Sequence, residues 1–366
     1  MNVSTVPVRA LRAAAYTIPT DKPEADGTLR WNATTLVTAE VEAGTWTGLG
    51  YSYTSDAAAG VINAVLAPAV LGHDALDTIA SWQAMRRSVR NLGREGLAAT
   101  AISAVDTALW DLKAKMLGLP LALLLGRCRE TVPIYGSGGF TSYSDGELAE
   151  QLAGWVEREG CRRVKMKVGA EPGRDLDRVR AAKRTIGSHD LFVDANGAYD
   201  RKQSIELAVA FASDADVRWF EEPVSSDDRD GLRFVRERAP ACMDIAAGEY
   251  GYTLDYFRHM LADGSVDVLQ ADATRCGGFT GFLQAAALAE AYHVALSSHC
   301  APALHLPVAC AVPRFRHIEW FHDHVRIERM LFDGAPAPRD GMIEPDLARP
   351  GIGLDLKRSD AERFRK

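Results

Sequence analysis

Short apolar run after short apolar run in this chain ends in an ionisable residue, and the residue types describe one kind of chemistry. Lys165 and Lys167 close one run, Asp194 and Asn196 the next, followed by Glu221 with Glu222, Glu249, Asp272 and His299, while Glu319 sits inside a last run. Asp194, Glu221 and Glu249 supply three hard oxygen donors, which suit octahedral Mg²⁺ completed by water and substrate oxygens better than Zn²⁺. Three carboxylates at one face without a cation would repel and raise one another's pKa, so a metal also explains how they coexist. Lys165 and Lys167, spaced by two, point the same way from a strand. Near each other and near Mg²⁺ their ammonium groups are expected to depress one another's pKa, which an amine needs to act as a base near neutral pH. Asp272 and His299 suit a carboxylate–imidazole pair in which the carboxylate fixes the tautomer and raises the ring's basicity.

Each signal alone is weak. A charged residue just past a strand is commonly a solvated loop residue, Lys-x-Lys commonly a solvated face, and a single histidine among nine commonly structural. The succession of placements carries the inference. Glu222 is expected to be a cap or a surface ion pair, because neighbours on a strand face opposite ways. His322-Asp323-His324, beyond the last run, reads as loop rather than as a rival metal cluster.

The elements that must bring these residues together are eight candidate strands: Val132 to Tyr135, Val164 to Lys167, Leu191 to Asp194, Val217 to Glu221, Met243 to Ala247, Val266 to Ala271, Val294 to Ser297 and His317 to Trp320. Amphipathic stretches such as Asp175 to Ile186, Lys202 to Ala212 and Phe279 to Ala291 separate them, the texture of repeated βα units. A β/α barrel opens all its strand C-termini on one face, so the ionisable groups would converge on one pocket. No clear eighth helix follows the last strand, which predicts an α/β modified TIM barrel, (β/α)7β, over residues 131–330. Before it, β-rich runs at Val8 to Tyr16, Leu36 to Val41 and Thr47 to Tyr51 precede helical stretches at Ala57 to Leu71, Ala75 to Arg90 and Leu97 to Leu117. These predict an α+β capping domain over residues 1–130, and residues 331–366 are expected to return and pack on it.

The chain of 366 residues is long enough for two domains, and its net charge of -7 argues against a nucleic-acid or membrane-surface partner while leaving room for a local cationic pocket. Six cysteines without a Cys-x-x-Cys pair fit a reducing cytoplasm. The N-terminus lacks the layout of a signal peptide, and no uninterrupted apolar run spans a bilayer. A cytoplasmic protein with a small-molecule partner is expected.

Lys165-Met166-Lys167, Asp194-Ala195-Asn196, Phe220-Glu221-Glu222-Pro223, Ala247-Gly248-Glu249, Asp272 to Gly278, Ser298-His299 and Glu319 resemble, in order and spacing, the mandelate racemase subgroup of the enolase superfamily. Ala101 to Leu112 resembles the last helix of that family's capping domain, and Arg349-Pro350-Gly351 its C-terminal return. Sites of this superfamily pair a Lys or His base with Mg²⁺ that stabilises an enediolate. The resemblance implies that Asp194, Glu221 and Glu249 ligate Mg²⁺, and that Lys167 and His299, the latter oriented by Asp272, stand on opposite faces of the substrate α-carbon. It further implies that Lys165 contacts the substrate carboxylate, that a protonated Glu319 hydrogen-bonds it, that Asn196 touches substrate, and that the chain forms a homo-oligomer, commonly an octamer. The muconate lactonising subgroup fits less well, since its Lys after the sixth strand is replaced by Asp272-Ala273-Thr274-Arg275. Arg275 itself departs from the Lys expected near there.

The resemblance also implies that the reaction depends on the loops over the barrel mouth. Pro19 to Trp31 is rich in charged and hydrogen-bonding groups, which suits a polyhydroxy acid better than an aromatic one and favours a lyase, an acid-sugar dehydratase giving a 2-keto-3-deoxy acid. The alternative is an isomerase, a racemase or epimerase of a 2-hydroxy acid, and more remotely a non-catalytic barrel that only binds. Tyr51 and Tyr53, on a second candidate cap loop, are expected substrate contacts or ordinary hairpin aromatics.

Overall fold

A computed structural model describes residues 5–366; residues 1–4, the start of the segment without a signal-peptide layout, lie outside it. β1 (Val8–Ala25), β2 (Arg30–Ala43) and β3 (Trp46–Tyr53) form an antiparallel sheet in that order. All three strands run further than the alternation predicts. Pro19 to Trp31 is not a loop but the far end of the β1–β2 hairpin, irregular between Pro19 and Glu24, and its turn is closed by Asp26 Oδ1, which accepts from Leu29 N at 2.7 Å. Tyr51 and Tyr53 likewise lie in β3 and not on a cap loop.

The predicted helix over Ala57 to Leu71 is one helical rod with a π-helical middle at Ile62–Leu66. Thr78–Ser88 follows, and then α1 (Leu97–Met116), which packs on the sheet. Contact is that close because β3 carries Gly50: a Cβ there would fall 2.3 Å from the Ala104 carbonyl oxygen, so no other residue fits without moving α1.

Eight parallel strands follow in sequence order: β4 (Val132–Gly138), β5 (Arg163–Lys167), β6 (Asp190–Asp194), β7 (Val217–Glu221), β8 (Asp244–Ala247), β9 (Val268–Ala271), β10 (Ala295–Ser298) and β11 (Phe315–Phe321). β11 closes on β4, with Ile318 beside Ile134. Apolar residues on the outer strand faces and inner helix faces make the main core. One covering helix is α2 (Gly278–Ala291). The eight-stranded barrel under a capping sheet is as expected, but a helix, α3 (His322–Leu331), follows β11 directly and places His322-Asp323-His324 in a helix rather than a loop.

Two grips hold the sheet domain to the barrel. Ser103 Oγ on α1 accepts from Gly277 N (2.9 Å), and Asp106 accepts from Thr280 N (2.9 Å) and Oγ1 (2.7 Å), which fixes the start of α2 just after Asp272. Asp111 accepts from Leu49 N and from Ile352 N, both at 2.7 Å, while Met342–Ile343 pairs antiparallel with β4. Near the other end of the returning segment, Thr17 N donates to Phe364 O at 2.8 Å. Among the described residues no helix is long and apolar enough to cross a membrane.

Candidate active site

Strand alternation sends every second side chain inward, and at the strand C-termini those side chains are the ionisable ones. Ligand atoms of Asp194, Glu221 and Glu249, one from each, all lie within 4.8 Å of one another, and all three residues are buried. Lys167 Nζ meets Asp194 Oδ2 at 2.5 Å on one side of this trio. On the other side His299 Nε2 lies 3.3 Å from Glu249 Oε2, and its Nδ1 is 2.8 Å from Asp272 Oδ2. Lys165 Nζ, fully buried, bridges Glu221 Oε1 (2.6 Å) and Glu319 Oε1 (2.8 Å).

His299 is held by an unusual turn. Cys300 and Ala301, neither a glycine, have φ of 50° and 40°, a strained conformation that persists only where the surroundings enforce it. Here Cys300 N donates to Glu319 Oε2 (2.8 Å) and Ala301 N to His324 Nδ1 (3.2 Å). Cys300 Sγ then sits 3.2 Å from His299 Nε2.

Burial opposes the charge on both lysines and Lys165 lowers Lys167, but the surrounding carboxylates hold both ammonium groups above their usual range, led by Glu221 at Lys165 and Asp194 at Lys167. Glu319 lies against Lys165, 2.8 Å from its Nζ. Burial opposes ionisation, but Lys165 and His299 draw its carboxyl well below the ordinary range, and it already accepts from Ser137 Oγ at 2.6 Å. Glu222 is neither a cap nor a surface pair. Its φ of 39° turns the chain inward after β7, and burial, with Glu249 close by, pushes its carboxyl up.

The remaining expected site residues divide. Asn196 lies beside the trio, its N–H donating to Asp194 Oδ1 (2.9 Å) and its buried side-chain oxygen without a hydrogen-bond partner among the described residues. It lines a cavity of about 530 Å³ with Thr28, Glu222 and Tyr250. Arg275 is a bridge, 3.5 Å from Glu249 Oε1 and 3.7 Å from Asp272 Oδ2. Tyr51 and Tyr53 stand apart from the trio: Tyr51 donates to Glu328 on α3 at 2.7 Å, and Tyr53 stacks on His324. Residues missed in the sequence are Ser137, Cys300 and Trp219, whose Nε1 donates to Glu221 Oε2 at 2.9 Å. Inward period-2 counting back from Glu221 is the signal that reaches Trp219.

The hairpin covers this mouth. A Cβ on Gly27 would fall 2.5 Å from Ala195 O and 2.6 Å from Val168 O, so the turn lies directly on the loops after β5 and β6. Its charged residues face elsewhere, Lys22 to Glu147 and Asp21 to His322, while Trp31 joins Phe140, Tyr143, Cys300 and Phe321 in an apolar cluster beside His299. Of the polar residues of Pro19 to Trp31, Thr28 lines the cavity beside Asn196, so only part of that segment's polarity describes the wall that faces the site.

The donor set fits a hard divalent cation. All three groups are carboxylates, Glu249 Oε2 is buried without a hydrogen-bond partner among the described residues, and burial together with Asp194's charge pushes the Glu221 carboxyl well up even with Lys165 beside both.

Comparison with known proteins matches residues 19–126 to the mandelate racemase / muconate lactonizing enzyme N-terminal domain and residues 147–361 to the enolase C-terminal domain-like family. The chain is 36% identical over 334 residues to the 3,6-anhydro-alpha-L-galactonate cycloisomerase of Streptomyces coelicolor, covering 88% of this chain and 90% of that enzyme. A mandelate racemase/muconate lactonizing enzyme-like protein from Rubrobacter xylanophilus superposes with a TM-score of 0.96 at 51% identity, covering 98% of this chain and 99% of that one. The L-talarate dehydratase of Polaromonas sp. JS666, solved with Mg and L-glucarate, superposes with a TM-score of 0.89 at 31% identity over 99% and 98% of the two chains. A closed barrel with this array of groups at its mouth, under a capping sheet and matched in both parts, makes the chain a member of the mandelate racemase / muconate lactonizing enzyme family of the enolase superfamily.

Proposed function

We propose that this enzyme removes the proton beside the carboxylate of an acid sugar and then expels an oxygen from C3, giving a 2-keto-3-deoxy acid. The observation that carries the reading is the placement of two proton-transfer groups at opposite ends of the carboxylate trio, Lys167 at Asp194 and His299 at Glu249. Asp194, Glu221 and Glu249 would hold Mg²⁺, which when bound supplies positive charge to the substrate carboxylate as it gains enediolate character. Lys165 binds the same carboxylate, and Asn196 offers its unpartnered oxygen to a substrate hydroxyl. One of Lys167 and His299 takes the C2 proton. The other, protonated, gives its proton to the departing C3 oxygen, which leaves as water, and the enol tautomerises to the ketone. Asp272 keeps the proton of the His299 ring on Nδ1, leaving Nε2 free to exchange one.

Support for an oxygen leaving group comes from the relatives. A dehydratase loses a hydroxyl, and a cycloisomerase of a 3,6-anhydro acid opens a ring at its ether oxygen, so both fit C2 deprotonation followed by C3–O cleavage. The apolar cluster of Trp31, Phe140 and Phe321 favours a second reading, racemisation or epimerisation of a 2-hydroxy acid with an apolar end. A cytoplasmic homo-oligomer remains our expectation, the location supported by six free cysteines and the assembly by family resemblance.

The test is a screen of mono- and diacid sugars with the Mg²⁺-supplemented protein in D₂O, with semicarbazide detection of keto acids and NMR of the C2 proton. Keto acid lost in Lys167→Ala and His299→Asn supports dehydration. C2 deuterium without keto acid supports the racemase, and neither signal across the panel rejects both for acid sugars.

A further inference from the structure

The lid hairpin carries a second cluster of donors that the proton chemistry does not use. Asp21 and Glu24 lie on β1 and His322 opens α3, and one ligand atom from each lies within 4.8 Å of the other two. Glu24 is 1% exposed; its Oε2 accepts from Trp31 Nε1 at 2.7 Å, but its buried Oε1 has no hydrogen-bond partner among the described residues. His322 Nε2 stands 3.0 Å from Asp21 Oδ2. The cations nearby are engaged elsewhere: Lys22 with Glu147 at 2.8 Å, Arg326 with Asp323 at 2.5 Å and with Pro19 O at 2.6 Å. A buried carboxylate oxygen without a donor is destabilising, and a cation held by the three groups would compensate it.

We propose that Asp21, Glu24 and His322 form a second divalent-cation site that pins the lid hairpin to the last barrel helix. Its chemistry differs from that of the barrel mouth. One imidazole with two carboxylates suits a first-row ion such as Zn²⁺, with the remaining position open to water, whereas three carboxylates suit Mg²⁺. Two ligands sit on the hairpin and one on α3, so an ion held by all three ties the lid down beside Trp31, which packs on the barrel mouth through Phe140. The site therefore links the availability of one metal to closure over another.

The full chain, saturated with Mg²⁺ to fill the carboxylate trio, is titrated with Zn²⁺ by calorimetry alongside His322→Gln and Glu24→Gln. Wild type is expected to bind one further Zn²⁺ per chain, and each variant to lose at least about tenfold in that affinity, as removal of metal-site groups does. Amide hydrogen exchange over residues 19–31 is expected to slow on Zn²⁺ addition in wild type and to stay unchanged in His322→Gln, whose position on the rim should leave folding intact by circular dichroism. Equal Zn²⁺ stoichiometry and affinity in wild type and both variants, or no Zn²⁺ uptake by wild type, overturns the proposal.

Discussion

Two layers inside the same barrel, one residue pair apart on each strand, differ completely in chemistry. The lower layer carries Tyr135, Phe192 and Trp219, with Phe192 stacked on Trp219 and His317 against all three rings. Two residues further along the same strands stand Ser137, Asp194, Glu221 and Glu319. The strands contribute identical geometry to both; only the side chains change. Aromatic packing below excludes water, and in the resulting low dielectric the charges above act on one another far more strongly than at a surface. Trp219 belongs to both layers, packing with the rings and donating to Glu221. The floor is thus an electrostatic part of the site as well as its support.

The largest effect expected is in the upper layer. Lys167→Ala or His299→Asn should lower Mg²⁺-dependent C2 proton exchange by about 10²–10⁴-fold while circular dichroism stays the same. In the lower layer the effect moves from rate to stability: Trp219→Ala should cost about 3–5 kcal/mol in urea unfolding. Trp219→Phe sharpens the distinction, since it keeps a ring but removes the donor to Glu221. If it leaves metal affinity and exchange rate untouched, the floor is packing alone and the linkage between layers is broken.

A third set of buried acids, outside the barrel mouth, should respond to pH in a defined direction. Burial pushes Glu328 up to about 8, against the hydrogen bonds from Tyr51 and Ala303 that lower it. Its folded pKa lies above its unfolded value, so the folded state holds a proton that the unfolded chain has released. The contribution of Glu328 is therefore most favourable below the unfolded value near 4.5 and is lost as pH rises towards 8. Denaturation midpoints from pH 5 to 8 should fall less steeply in Glu328→Gln than in wild type. The smallest effect is expected of Tyr51→Phe, about 1 kcal/mol of stability with an unchanged KM. A raised KM with intact stability would instead return Tyr51 to the substrate site.

The ionisable strand ends were legible because a buried parallel strand is otherwise apolar, so Lys165, Asp194 and Glu221 stand out against Val, Ile and Phe. The capping helix and the return were legible as motifs, and the structure supplies their reason in Asp106 and Asp111, which take backbone donors from α2 and from the returning segment. The helix after β11 was not legible because half of its buried residues are polar: Asp323, His324 and Glu328 meet Thr34, Tyr53 and Tyr51 of the sheet domain and interrupt the apolar pattern of Val325, Ile327 and Leu331. The hairpin was hidden by Pro19 and Pro23, which spoil the alternation where the register shifts. Glu222 was misplaced because strand parity stops at a left-handed residue. How far the carboxylates outweigh the mutual effect of the lysines was not legible, because the number of carboxylates around each exists only once the barrel is closed.

That closure also constrains how the protein is made. Ser137 on β4 and Glu319 on β11, hydrogen-bonded neighbours in the finished barrel, are 182 positions apart. On a ribosome, β4 emerges long before its final partner and waits with one edge unpaired, exposed to association with other chains. Contacts of such separation also slow folding. The step that assembles Lys165, Glu221 and Glu319 into one cluster is therefore a late one in biosynthesis, and a nascent chain lacking β11 should have neither the cluster nor a sealed sheet.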